Sequence, residues 1–277
     1  MKIRRRQPKW CGRLWIALLL AVVILLPACS TVPVTGRSGL HLVPESQLLT
    51  LSFQQYDEVL KNSELSQDPE KVAMVRRVGF RIAEATEAFL KESGYEESLG
   101  KFKWEFNLIK DDDTANAWVM PGGKAAVYTG ILKYTQNETG LAVVLGHEVA
   151  HAIADHGNER MSQQLLAQMG GMALAVALAS QPGETQALAM AAFGAGTAVG
   201  ILLPYSRLHE SEADQIGLIL MARAGYDPRE AVPFWERMNE DPGKRPPELL
   251  STHPAPETRI ENIKSHIPEA MKYYHGK

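Results

Sequence analysis

The sequence predicts an α+β fold, mainly α, and three observations carry that expectation. After residue 44 most of the chain sets apolar residues at the three- and four-residue intervals of a helix. Two short runs, Phe102 to Lys110 and Ala125 to Leu132, carry β patterning on either side of the turn Pro121-Gly122-Gly123. Two helical stretches, about sixty residues apart, each hold a polar pair four positions apart in apolar surroundings: His147 with His151, and Glu210 with Asp214. At 277 residues, 45% hydrophobic and 22% charged, the chain can bury one sizeable core and a small extra lobe.

Residues 1–28 are expected to be a secretory signal. Lys2, Arg4, Arg5, Arg6 and Lys9 precede an uninterrupted apolar run, Leu14 to Leu26. At about 1.5 Å per residue that run gives roughly 20 Å of helix, short of the roughly 30 Å hydrocarbon core of a bilayer. It ends in Leu26-Pro27-Ala28-Cys29, which resembles the bacterial lipobox, and that likeness implies a lipid on Cys29 and, with Ser30 following, sorting to the outer membrane. Cleavage there would remove Cys11 with the signal and leave no thiol for an internal disulfide. The six basic residues lost would take the formal charge from −3 to −9, so nucleic acid is not expected as a partner. Residues 29–44, rich in turn formers, are expected to be a lipidated N-terminus and tether, with the folded domain over 45–277.

Within the domain, helical spacing runs from about Glu45 to Leu60 and from Pro69 to Ser93, the second with Val72, Val75, Val78, Ile82 and Phe89 on one face. The two β runs predict a small antiparallel sheet. Asp111, Asp112 and Asp113 read as a solvated acidic loop rather than a cation site. The next helix is expected to start at Thr135 as N-cap, with Glu138 completing a capping box. At about 100° per residue His147 and His151 fall within about 40° of each other, with Glu148 about 60° from His151. Neutral imidazoles are good ligands for Zn²⁺, and a nearby glutamate outside the ligand set can take a proton from water acidified by the metal.

A catalytic zinc needs a third protein ligand and an open position. The segment 206–225 supplies a candidate, with Glu210 as ligand and Asp214, one turn on, expected to accept the free N–H of a ligating histidine, His147. Gly225 stops this helix and Asp227-Pro228 starts the next. His156 and His209 fall in no ligand position and read as bystanders.

His147-Glu148-Val149-Ala150-His151, followed by Glu210-Ser211-Glu212-Ala213-Asp214, resembles the gluzincin pattern of peptidase family M48, which includes HtpX and the CAAX prenyl endopeptidases. Asn116 to Leu132 looks like that family's edge-strand segment, and Leu249 to Ile260 like its Thr-His-Pro segment with a trailing arginine. The resemblance implies a zincin-like metalloprotease domain binding one Zn²⁺ through His147, His151 and Glu210, with Glu148 as general base and Asp214 behind the ligands. It also implies that Asn116, Ala117, Trp118, Val119 and Met120 offer their backbone to an extended peptide, as when a strand is added to a sheet edge. His253 would lie near the metal, either filling its open position or stabilising an oxyanion, and Arg259 would anchor the loop that carries it.

Two Ala/Gly-rich runs between the ligand pairs, spanning about 165–203, are expected to form a buried or membrane-touching hairpin, with membrane spans as the alternative. The expected function is a zinc endopeptidase, lipid-anchored in a bacterial envelope, facing the periplasm and cleaving extended or misfolded proteins, with envelope assembly machinery as a candidate partner. A non-hydrolytic chaperone using the same cleft is the other reading, and Glu148 argues against it because binding alone needs no general base.

Overall fold

The computed structural model describes residues 29–240, 247–253 and 258–276. The expected signal segment, 1–28, lies outside the described residues. In chain order the elements are β1 (Cys29–Thr31), β2 (Ser38–Leu40), α1 (Glu45–Lys61), α2 (Pro69–Glu92), β3 (Glu105–Ile109), β4 (Ala117–Met120), β5 (Lys124–Tyr128) and the single turn α3 (Leu132–Thr135). There follow α4 (Glu138–Ile153), α5 (His156–Ala177), α6 (Gly183–Thr197), α7 (Leu203–Arg223), α8 (Ala231–Glu240), α9 (Glu248–Thr252) and α10 (Arg259–Ala270). The fold is mainly helical with small sheets, as the sequence predicts.

Helix α2 starts where the Asp68 carboxylate accepts from the backbone N–H of Glu70 and Lys71, with Pro69 at the first helical position. Its Val75, Val78, Ile82 and Phe89 face inward, and Gly79 lets the helix approach the ring of Phe106 on β3. The sheet order is β3-β5-β4. β4 pairs antiparallel with β5, Ala117 opposite Val127, but β3 runs parallel to β5, Phe106 opposite Ala125. The expected sheet is therefore mixed rather than antiparallel throughout, because a crossover, not a hairpin, joins β3 to its partner. β4, carrying Ala117, Trp118, Val119 and Met120, is an edge strand.

The segment expected as a tether is folded. Ser30 and Thr31 pair with Gly39 and Ser38, Val32 is fully buried, and Arg37 forms ion pairs at 2.8 Å with Glu159 and Glu212. Turn-rich composition describes the tight β1–β2 connection here, and the buried carboxylates opposite Arg37 hold the segment on the domain. Cys29, the expected lipid site, begins β1 opposite Leu40.

Helix α4 runs through the core and buries all but its first residues. Its start differs from expectation: Asn137, not Thr135, is the N-cap, accepting from the N–H of Gly140, while Thr135 closes the preceding turn. Leu141, Leu145 and Val149 are each fully removed from water, worth roughly 1.5–3 kcal/mol apiece. Against α4 lies α7, and the two backbones nearly touch. A Cβ on Gly146 would sit 2.9 Å from the carbonyl oxygen of Gly217, and one on Gly217 2.9 Å from the nitrogen of His147. Only glycine at both places allows this approach, which brings the polar residues of the two helices together.

Candidate metal centre

The crossing of α4 and α7 gathers the residues that the sequence singled out. His147 and His151 present Nε2 atoms 3.1 Å apart, and Glu210 sets Oε2 3.3 Å from the first and Oε1 3.4 Å from the second. His253, just past α9, places Nδ1 3.1 Å from Glu210 Oε1 and 3.4 Å from His147 Nε2. One donor atom from each of these four buried residues lies within 4.8 Å of all the others, as ligands of a single ion would.

Charge balance shows that the donor set suits a cation. The buried oxygens Glu148 Oε1 and Glu210 Oε2 accept no hydrogen bond among the described residues, an expensive arrangement for carboxylates unless a positive group joins them. Burial opposes charge on His147, but Asp214 and Glu210 outweigh it and lift its pKa to about 9. Carboxylates that draw a proton onto this imidazole equally favour a metal ion in the proton's place. Burial dominates at the two neighbours: it lowers His151 well below the usual histidine value and raises Glu148 above the usual carboxylate value. A glutamate raised in this way is a better proton acceptor near neutral pH than a fully solvated one.

Each histidine is oriented from behind. Asp214 Oδ1 lies 2.9 Å from His147 Nδ1, so that nitrogen keeps its hydrogen and Nε2 offers a lone pair. Arg259 holds Asp214 through two bonds, Nε to Oδ2 at 2.9 Å and Nη2 to Oδ1 at 2.6 Å, and its guanidinium lies over the ring of Trp235.

His151 has an arrangement that the sequence reading missed. Its Nδ1 lies 2.8 Å from His156 Nδ1, and His156 Nε2 lies 2.9 Å from Glu212 Oε2. With the His156 N–H donated to Glu212, His156 Nδ1 is the acceptor, His151 Nδ1 the donor, and His151 Nε2 the free lone pair. Glu212 also accepts from Thr35 and Arg37, and Arg37 pairs with Glu159, which in turn meets His209 Nε2 at 3.0 Å. Neither His156 nor His209 is in the donor cluster, as the sequence reading expected, but both are buried with their rings stacked 4.3 Å apart, and His156 lies behind a proposed ligand. On a continuous helix His156 would point about 140° away from His151. Asp155, at φ 53°, breaks α4 from α5 and turns His156 back.

The edge strand is tied to the segment bearing His253. Leu249 donates its N–H to Ala115 O at 3.1 Å, and Asn116 Nδ2 donates to Glu248 Oε1 at 3.1 Å. Asn116, Ala117 and Val119 are buried, and Trp118 and Met120 are half-buried. Asp111 caps its own loop by accepting from the N–H of Asp113 and Thr114, in keeping with the solvated reading of that acidic run.

A mainly helical α+β fold whose buried centre joins two histidines and a glutamate from adjacent helices defines a metallopeptidase-type domain. Residues 77–267 match the profile of peptidase family M48, and the chain belongs to that family. It is 40% identical over 175 residues to mitochondrial metalloendopeptidase OMA1 of Schizosaccharomyces pombe, an alignment covering 62% of this chain and 49% of that protein. To the Saccharomyces cerevisiae protein of the same name it is 32% identical over 256 residues, 87% of this chain and 70% of the relative. To the beta-barrel assembly-enhancing protease of Escherichia coli it is 26% identical over 244 residues, 86% of this chain and 47% of the relative. The chain spans about half the length of several of these relatives.

These likenesses correct the expected location. The sequence predicts a lipid anchor in a bacterial outer membrane facing the periplasm, but the OMA1 relatives from two yeasts, cattle, human and Arabidopsis are mitochondrial by name, which contradicts that location. Arginine-rich, acid-poor leaders are shared by more than one destination, so residues 1–28 alone do not name the compartment.

Proposed function

We propose that the chain is a zinc endopeptidase whose metal is held by His147, His151 and Glu210, with Glu148 as general base. The observation that carries this reading is the convergence of those donors beside a buried carboxylate oxygen that accepts no hydrogen bond. When bound there, zinc supplies Lewis-acid polarisation of the scissile carbonyl and acidifies the attacking water. Glu148 takes the proton from that water and delivers it to the leaving amide nitrogen, so one carboxyl serves both halves of the reaction. Asp214, fixed by Arg259, and His156, fixed by Glu212, keep the two imidazoles turned toward the metal.

The substrate is an extended or loosely folded protein segment laid along the outer edge of β4, over Asn116, Ala117, Trp118, Val119 and Met120. A sheet edge recognises backbone rather than sequence, which suits misfolded or incompletely assembled chains. The E. coli relative's name, a protease that enhances β-barrel assembly, supports substrates of that kind. His253, inside the donor cluster, lies between Glu210 Oε1 at 3.1 Å and Glu148 Oε1 at 3.4 Å, where it can fill the open metal position or stabilise an oxyanion. A purely binding role gives no reason for a buried carboxylate at Glu148, whose Oε1 lies 3.4 Å from His253 Nε2 and accepts no hydrogen bond among the described residues.

Metal analysis of the full chain tests the reading. Protein purified without chelator is expected to carry about one zinc per chain, the stoichiometry of a three-ligand catalytic site. His147→Ala and His151→Ala are expected to lose it while keeping their circular dichroism. Metal-free wild type, or metal retained by both variants, would contradict the assignment.

A further inference from the structure

Over 165–203 the hairpin of α5 and α6, for which burial was one expectation, stands exposed, with Val176 77% and Leu188 74% open to solvent. At its foot the surroundings differ. Glu159 on α5 and Glu212 on α7 are buried, and Arg37, from outside both helices, bridges them. Its Nη1 and Nη2 donate to the two Glu159 oxygens at 2.9 and 2.8 Å, while Nε and Nη2 donate to Glu212 Oε2 at 2.9 and 2.8 Å. Thr35 donates to the other Glu212 oxygen. The oxygen that Arg37 holds, Glu212 Oε2, is the one that lies 2.9 Å from His156 Nε2.

We infer that Arg37 is a positioning residue for the metal centre, acting through Glu212 and His156 on His151, so that the segment 29–44 is part of the working site. The inference rests on the zinc reading above, because His151 matters here as a ligand. Three observations carry it. Glu210 and Glu212 point about 160° apart on one helix, so a ligand at 210 leaves 212 facing away from the ion. The Glu212 carboxylate therefore takes its direction from its neighbours, and Thr35 and Arg37 fix both of its oxygens. The contacts from Arg37 to Glu212, His156 and His151 are each 2.9 Å or shorter, and the last three residues are buried, where water does not replace a lost partner. The backbone of the segment is bent to this purpose: Val34 at φ 74° and Gly36 at φ 68° flank Thr35 and bring the side chains of 35 and 37 to one carboxylate. Left-handed backbone is costly for a β-branched residue and persists where the surroundings over-determine it, most often at functional sites.

Fastening the segment would need less. The Arg37 fork on Glu159 already ties it to α5, as do Asn158 Nδ2 donating to Val43 O and the Leu42 N–H donating to Ser162 Oγ, both at 2.8 Å. The branch to Glu212 adds a hold on the residue behind a ligand.

The test measures zinc affinity of the full chain by competition with a chelating dye, together with the visible spectrum of the cobalt(II)-substituted protein, whose bands report ligand geometry. Arg37→Ala should weaken zinc about tenfold, the lower end of the range for support behind a ligand, and alter the cobalt bands. Added to His156→Phe, the same change should weaken zinc by less than about twofold more, because the route to His151 is already cut. Equal losses in both backgrounds, or unchanged affinity and cobalt bands in Arg37→Ala, would overturn the proposal and leave Arg37 as a fastening. If an alanine variant lacks the circular dichroism of a folded chain, Arg37→Lys in the same two backgrounds makes the comparison, since lysine keeps the charge but cannot fork between two carboxylates. Wild-type affinity and bands in Arg37→Lys would likewise overturn it. A wild type that binds no zinc would instead remove the metal reading itself, and this proposal with it.

Discussion

The helix pair α4–α7 and the hairpin α5–α6 are built from the same residues, alanine, glycine and branched aliphatics, and put them to opposite use. In the pair, Gly146 and Gly217 lie where two backbones meet, and the space saved lets two histidines and a glutamate converge. In the hairpin, Gly194, Gly196 and Gly200 have nothing within 4 Å of the position a Cβ would take. Small residues therefore permit close approach without determining what approaches. In one region the answer is another helix, fixed by polar residues that must be satisfied; in the other the surface stays open.

Substituting glycines in the two regions should separate them most widely. Gly217→Val drives side-chain atoms into the backbone at His147, and overpacking at a site with no flexible neighbour belongs at the upper end of the range, about 3 kcal/mol, with loss of metal. Gly196→Val should move stability by no more than about 0.5 kcal/mol, the difference in helix propensity. Urea unfolding of both variants measures the contrast, and equal effects would erase it.

The polar support behind the pair should come next. Burial would raise Glu159, but His209 and Arg37 overcome it and hold its pKa at about 2. Its folded-state value lies below its unfolded value, so the stabilisation is present above the usual glutamate pKa and fades as pH falls toward 2. Glu159→Gln is expected to cost about 3 kcal/mol near neutral pH, as when one partner of a buried ion pair is removed. Wild type and variant should converge in acid, and a gap independent of pH would count against the ion pair.

Smaller again is the effect expected at His156. His156→Phe keeps a ring at the position and removes the acceptor for His151 Nδ1, and losing such support typically lowers metal affinity about 10- to 100-fold. Competition against a chelating dye would show it, and unchanged affinity would return His156 to a packing role. His253→Ala should have the mildest effect, raising the peptidase rate by the fraction of time His253 fills the donor cluster. A slower variant would instead make His253 a stabiliser of the oxyanion.

The ligand pairs were legible because a spacing of four on a helix fixes direction whatever surrounds it. Placing His147 beside Asp214 needed only that rule and the chemistry of imidazole. What sequence spacing missed depends on partners distant along the chain. The pairing of β3 with β5, parallel, is decided across a crossover. Residues 29–44 looked like a tether because the partners of Arg37, Glu159 and Glu212, lie more than a hundred residues away. His156 was set aside because one left-handed residue, Asp155, undoes the helical arithmetic that placed it. Helix α4 begins two residues later than the capping box suggested because Asn137 competes successfully for the cap.

The central claim is that a metal held by His147, His151 and Glu210 works together with Glu148, and Glu148→Gln tests it most directly. The substitution preserves size and leaves all three proposed ligands in place, but removes the carboxylate that must accept a proton. The variant is expected to bind zinc like the wild type and to cleave casein about 10²- to 10⁴-fold more slowly, the range for losing acid–base catalysis. Cleavage at the wild-type rate by a zinc-loaded Glu148→Gln protein would contradict the account.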